Sequence, residues 1–136
     1  MTDAEYEATK QKIIALADKW QEALGLKWWR IKYVYYREGI PGTEDSKYAV
    51  LGQASVKWEY QHGTIEFNVM GLAAESDEQV ERVVVHELMH VFLNEARETG
   101  KDWLKHEERV ASSLTDAFIW VRDTFGKGET QKDTEA

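Results

Sequence analysis

The chain has 136 residues, no cysteine and a formal net charge of −8. That length holds one domain with a real core, and the missing cysteines exclude disulfides, thiolate nucleophiles and zinc ribbons, so any metal must be held by His and carboxylate. The negative charge argues against attraction to nucleic acid or to an anionic membrane, no run reaches the roughly 18 apolar residues of a membrane span, and the start lacks a basic, then apolar, leader. The expectation is a cytoplasmic protein with no nucleic-acid and no membrane partner.

Thr2 with Glu5 three residues later is a capping-box signature. Ile13, Ala17, Trp20 and Leu24 follow at helical spacing up to Gly25, a natural residue just past a helix end, so an amphipathic helix of about 22 residues is predicted as a platform behind a sheet. From Trp28 the period changes to two. Residues 28–36 read as a strand rich in aromatic and β-branched side chains, and 38–46 as a loop with the only proline. A second strand is expected over 48–61, with Ala54, Val56, Trp58 and Tyr60 on one face and Gln53, Ser55, Lys57 and Glu59 on the other. Gly52 suggests a bulge, His62-Gly63 a tight turn, and 64–70 a returning third strand. These strands would form an antiparallel meander with one wet face.

Ser76 with Gln79 three residues later caps the next helix, which carries Val80-Glu81-Arg82-Val83-Val84-Val85-His86-Glu87-Leu88-Met89-His90-Val91-Phe92-Leu93. Apolar residues cover nearly its whole circumference, as in a buried helix. His86 and His90 lie about one turn apart, so both imidazoles project from one face as a chelating pair. Glu87 sits beside them, within reach of a water on the same metal. Two neutral nitrogens that hold Zn²⁺ and a free carboxylate that takes a proton make the pattern of a metal hydrolase. Two satisfied core histidines are the competing interpretation, but His and Glu in a dry helix are costly without a partner, and a metal supplies one.

The helix is expected to fray over 94–99, a last helix to span 103–125, and the polar stretch 127–136 to be a disordered tail. A catalytic zinc needs three protein ligands and an open position. A further His six residues after His90 would meet that need, but Ala96 stands there. The remaining candidates are Glu107 and Glu108 on the last helix. Val110, Ala111, Leu114, Ala117, Phe118 and Val121 define that helix's apolar stripe; Glu107 falls near its centre and Glu108 more than 100° away. Phase therefore favours Glu107 as ligand, with Glu108 the alternative, and alanine at Glu107 is expected to weaken zinc binding more than alanine at Glu108.

The His86-Glu87-x-x-His90 helix followed by a glutamate helix resembles the gluzincin metallopeptidases, and among them the small minigluzincin and ImmA/IrrE-type members associated with phages and mobile elements. The resemblance runs over roughly residues 3–125. It implies an α+β zincin-like minimal fold: N-terminal helix, three-stranded antiparallel sheet, active-site helix and glutamate helix, with residues 1–126 a single metallopeptidase-like domain. It implies a zinc hydrolase acting on a protein or peptide substrate, with ligands His86, His90 and Glu107 and a zinc-bound water activated by Glu87. Extended substrate would lie along an edge strand, as family members bind it. The ImmA/IrrE-like pattern usually has Asn four residues after the ligand Glu, where Ala111 stands; the Asp that orients a histidine in thermolysin-like members is likewise replaced, by Ala111 or Ser112. Tyr60, His62, His106 and Arg109 are candidates by type for an oxyanion-holding group, and Trp103 and Trp28-Trp29 for the lining of a specificity cleft. The alternative function is a zinc-binding protein-interaction domain of the same fold without turnover.

Overall fold

Thr2 opens the first helix as its pattern requires: the Thr2 hydroxyl accepts from the Glu5 amide at 3.1 Å and α1 runs Asp3–Ala23. Gly25 beyond its end has φ of 73°, a left-handed conformation that glycine adopts without strain. The computed structural model describes residues 1–94 and 101–126, with side chains described in 1–94 and 107–126. The elements after α1 are β1 (Arg30–Tyr36), β2 (Gly52–Lys57), β3 (His62–Asn68), a short α2 (Val69–Ala73), α3 (Asp77–Leu93) and α4 (Lys101–Val121), closed by a π-helical turn over Arg122–Gly126. The fold is α+β. The expected tail over 127–136 and the fraying over 95–99 lie outside the described residues, as do the side chains of Trp103 and His106.

The sheet differs from the expected meander. Its order is β1-β3-β2, with β1 parallel to β3 and β2 antiparallel to β3. Residues 37–51 separate β1 from β2, far more than the two to five of a hairpin, so β3 takes the place beside β1 and β2 becomes an edge. The second strand is also shorter than expected. Trp58–Tyr60 form a 3-10 turn, Gln61 takes a left-handed conformation at φ 53°, and His62 and Gly63 are already in β3 rather than in the turn. No bulge occurs at Gly52, since the register runs unbroken from Gly52 opposite Phe67 to Lys57 opposite His62.

The sheet's inner face, with Ile65 and Phe67 fully buried, packs with Ile13, Ala17 and Trp20 of α1 and with Val80, Val84, Val85, Leu88, Met89 and Val91 of α3. Each such side chain contributes roughly 1.5–3 kcal/mol on burial. Tyr33 donates its hydroxyl hydrogen to Gln21 Oε1, and Gln21 Nε2 donates to the Leu26 and Trp29 carbonyls, which fixes the turn from α1 into β1. Burial pushes the Tyr33 hydroxyl well above the usual tyrosine range. α3 lies along β2 and is capped as expected, the Ser76 hydroxyl accepting from the Gln79 amide. Not all of its circumference is covered: Phe92 is exposed, and the side that bears His86 and His90 faces α4 and open clefts. No helix among the described residues is long and apolar enough to cross a membrane.

Candidate metal centre

His86 and His90 stand one turn apart on α3, and their Nε2 atoms meet at 3.2 Å. The carboxylate that converges on both is that of Glu108: Oε2 lies 3.1 Å from His86 Nε2 and Oε1 lies 2.8 Å from His90 Nε2. One ligand atom from each of His86, His90 and Glu108 therefore falls within 4.8 Å of the others. Glu107, the residue favoured from helix phase, is placed elsewhere. Its side chain is buried as phase predicts, but it accepts a hydrogen bond at 2.9 Å from His90 Nδ1, the far nitrogen of the ring. The reason is geometric. A metal held by two histidines on a helix surface sits at the open end of their rings, where an exposed residue of the neighbouring helix reaches back. The buried face meets the ring's inner edge, and a carboxylate there orients the imidazole.

His86 is oriented too, with Ser112 Oγ at 3.5 Å from its Nδ1. Ser112 lies one turn beyond Glu108 on α4, so one helix face supplies both contacts to His86. Nothing in a lone serine at that position signals this contact before the fold brings α4 against α3.

The donor set fits a divalent ion. A proton on His90 Nδ1 goes to Glu107, which leaves the Nε2 lone pair pointing at the Glu108 carboxylate and at a second imidazole nitrogen. A single proton there satisfies one contact, whereas a cation satisfies all three. Spacings of 2.8–3.2 Å also lie close to the about 3.3 Å between ligand atoms around tetrahedral zinc. Burial, and then the His90 charge, lower the His86 pKa against the pull of Glu108, which favours the neutral imidazole that binds metal.

Glu87 is 7 % exposed and makes no hydrogen bond or ion pair among the described residues. Burial pushes its carboxyl up to about 7; the His90 charge pulls it down and Glu108 adds to the rise. It is hemmed in by β2, since a Cβ on Gly52 would lie 3.0 Å from Glu87 Cγ and 3.1 Å from its Oε2. The glycine that suggests a bulge in the sequence is thus a close-approach residue. Two clefts flank Glu87. One of about 300 Å³ is lined by Leu51, Val83, Arg82 and His86; the other, of about 360 Å³, runs from Gly52 to Val56 along β2 and past His90, Glu107 and Glu108.

Comparison with protein-family models, with curated proteins and with solved structures finds no match to this chain. The site is therefore interpreted from its own residues. Of the candidate oxyanion-holding groups, Tyr60 and His62 lie at the opposite end of the sheet from Gly52, and Arg109 is exposed beside Glu108 without lining either cleft. His106 lies outside the described residues. Trp28 and Trp29 precede β1 at that same far end and line neither cleft. Arg82 is the cation that does line one. It pairs with Asp116 at 2.8 Å.

Proposed function

We propose that this chain is a zinc-dependent metallopeptidase whose ligands are His86, His90 and Glu108 and whose general base is Glu87. The observation that carries this is the convergence of two imidazole Nε2 atoms and a carboxylate beside a buried carboxyl that has no partner of its own among the described residues. When bound, the metal supplies Lewis-acid polarisation of the scissile carbonyl and makes water more acidic at neutral pH.

The chain's own residues do the rest. Glu107 and Ser112 hold the two rings by their Nδ1 atoms, so that both Nε2 atoms stay aimed at one point. Glu87, with a carboxyl poised near neutrality, takes a proton from the attacking water and returns it to the leaving amine nitrogen. Among the described residues β2 is a sheet edge beside Glu87, and the backbone groups on its outer side suit pairing with an extended peptide.

Elemental analysis of the purified protein and a peptidase assay, each repeated on Glu87→Gln, test the proposal. The expected result is about one zinc per chain in both proteins and turnover only in the first. Absence of metal overturns the site. Zinc without hydrolysis of any peptide overturns the enzyme and leaves a zinc-binding interaction domain. Hydrolysis that persists in Glu87→Gln overturns the base.

A further inference from the structure

β1 starts, β2 ends and β3 starts at one end of the sheet, and the register lines up Arg30, His62 and Lys57 across the three strands there. The next row on that face is Lys32, Thr64 and Ser55. The first row spans about 10 Å at the usual strand spacing, and Lys32 stands about 7 Å further along. Arg30, Lys32, Lys57 and His62 are exposed, and among the described residues none of them has an acidic partner. Lys12, Arg37, Arg82 and Arg122, by contrast, are all paired. Lys27, Lys47 and Arg109 also have no acidic partner among the described residues, but the four above stand in two adjacent rows of one face, with Glu59 the exposed acid in the turn there, on a chain of net charge −8. The same end exposes three aromatic side chains: Trp28 at 84 %, Tyr60 at 73 % and Trp58 at 42 %. Aromatic and arginine side chains together are the usual anchors of protein interfaces.

This face connects to the metal centre. Ser55 and Val56 line both the depression at the cationic end, about 620 Å³, and the cleft beside His90 and Glu108. Among the described residues β2 thus runs as an edge strand from Gly52 at Glu87 to Lys57, about 17 Å. A strand laid on that edge alternates its side chains, and those on the outer face fall beside Ser55 and Lys57. Opposite charges at such positions attract, and like charges repel.

We propose that the cationic, aromatic end of the sheet is a binding surface for an acidic segment of the polypeptide substrate, lying about four to six residues from the scissile bond. The inference rests on the peptidase reading for its link to turnover but not for binding. Three decapeptides carrying Glu, Gln or Lys at alternate positions serve as probes, with binding to the Glu87→Gln protein read by fluorescence anisotropy. The Glu peptide is expected to bind about tenfold tighter than the Gln peptide and the Lys peptide least well. The double reversal Arg30→Glu, Lys57→Glu inverts that order, and because both side chains are exposed an unchanged circular dichroism spectrum is expected. Equal binding of the Glu and Gln peptides overturns the proposal, as does tighter binding of oligodeoxythymidylate at the same residues, which would make this a single-strand nucleic-acid surface. Preferential binding of the Glu peptide without any hydrolysis sinks the peptidase and keeps the surface. Hydrolysis indifferent to the acidic segment, with equal binding, does the reverse.

Discussion

Glu81 and Glu87 lie six residues apart on α3, and both are buried, at 8 % and 7 % exposure. Their surroundings set them against each other. Burial alone would raise the Glu81 pKa, but Arg122 and the Trp20 indole N–H, at 2.9 Å, outweigh it and hold the carboxyl below its ordinary value. Glu87 has only the His90 charge set against burial, with Glu108 adding to the rise, and is pushed up to about 7. One glutamate joins α1, α3 and the turn after α4; the other is left reactive in a cleft. Burial of a carboxyl does not by itself mark function. What distinguishes the two is whether the fold provides a cation and a donor or leaves the group to a proton.

The largest expected effect separates the two residues by activity. Glu87→Gln should lower kcat by about 10²–10⁴-fold with zinc content unchanged, as measured by steady-state hydrolysis and elemental analysis. Glu81→Gln, which retains an acceptor for Trp20, should leave kcat within a fewfold; an equal loss in both variants would erase the distinction.

Stability against pH sharpens the same contrast in the metal-free protein. Glu87 holds its proton in the folded state from about pH 4.5 to 7 while the unfolded chain has lost it, so its contribution falls as pH rises through that window, by roughly 3 kcal/mol in total. Glu81 has the opposite sign: its contribution is complete above about pH 4.5 and is lost as pH falls through its lowered pKa. His86, with its pKa lowered, opposes Glu87, its contribution growing as pH rises toward 6.5. Urea unfolding of chelator-treated wild type and Glu87→Gln isolates the Glu87 part, and identical pH slopes would refute it.

Glu81→Ala should cost about 2–3 kcal/mol at pH 7, less than the 3–5 of a fully buried pair because the Arg122 side chain is 32 % exposed. Urea midpoints measure it, and a loss under 1 kcal/mol would show that the pair contributes little. Among the metal residues, Glu107→Ala should weaken zinc by about 10–100-fold through loss of ring orientation, and Glu108→Ala by more. Competition with a chromophoric chelator ranks them, and the reverse order would return Glu107 to the ligand set. Gly52→Ala is the smallest change, about 1–2 kcal/mol of overpacking against Glu87 and Val83, visible as a shift in Tm.

Features encoded within one or two turns were legible in the sequence. The Thr2 and Ser76 caps, the turn at Gly25 and the projection of His86 and His90 from one face of α3 depend on neighbours three or four residues away. Pairing between strands does not. With the second strand read from residue 48 the connection looks short enough for a meander, and only the completed sheet shows β2 starting at Gly52 and β3 lying between β1 and β2. The two glutamates show the limit of helix phase: it located the buried one, Glu107, correctly, but which ring nitrogen each carboxylate reaches, Nδ1 for Glu107 and Nε2 for Glu108, depends on how α4 packs on α3. The cationic sheet end was likewise invisible because Arg30, Lys57 and His62 become neighbours only through register.

α3 is joined to α4 by Arg82 with Asp116 and by the histidines with Glu107 and Glu108, and to the turn after α4 by Glu81 with Arg122. The donors of the proposed site are thereby divided between two segments packed side by side. Zinc held by all three side chains should consequently bind the two helices to each other, so that added zinc raises the Tm of the wild type by mass action and that of Glu108→Ala far less. The ion would then act as a clasp between two helices rather than as a passenger on one.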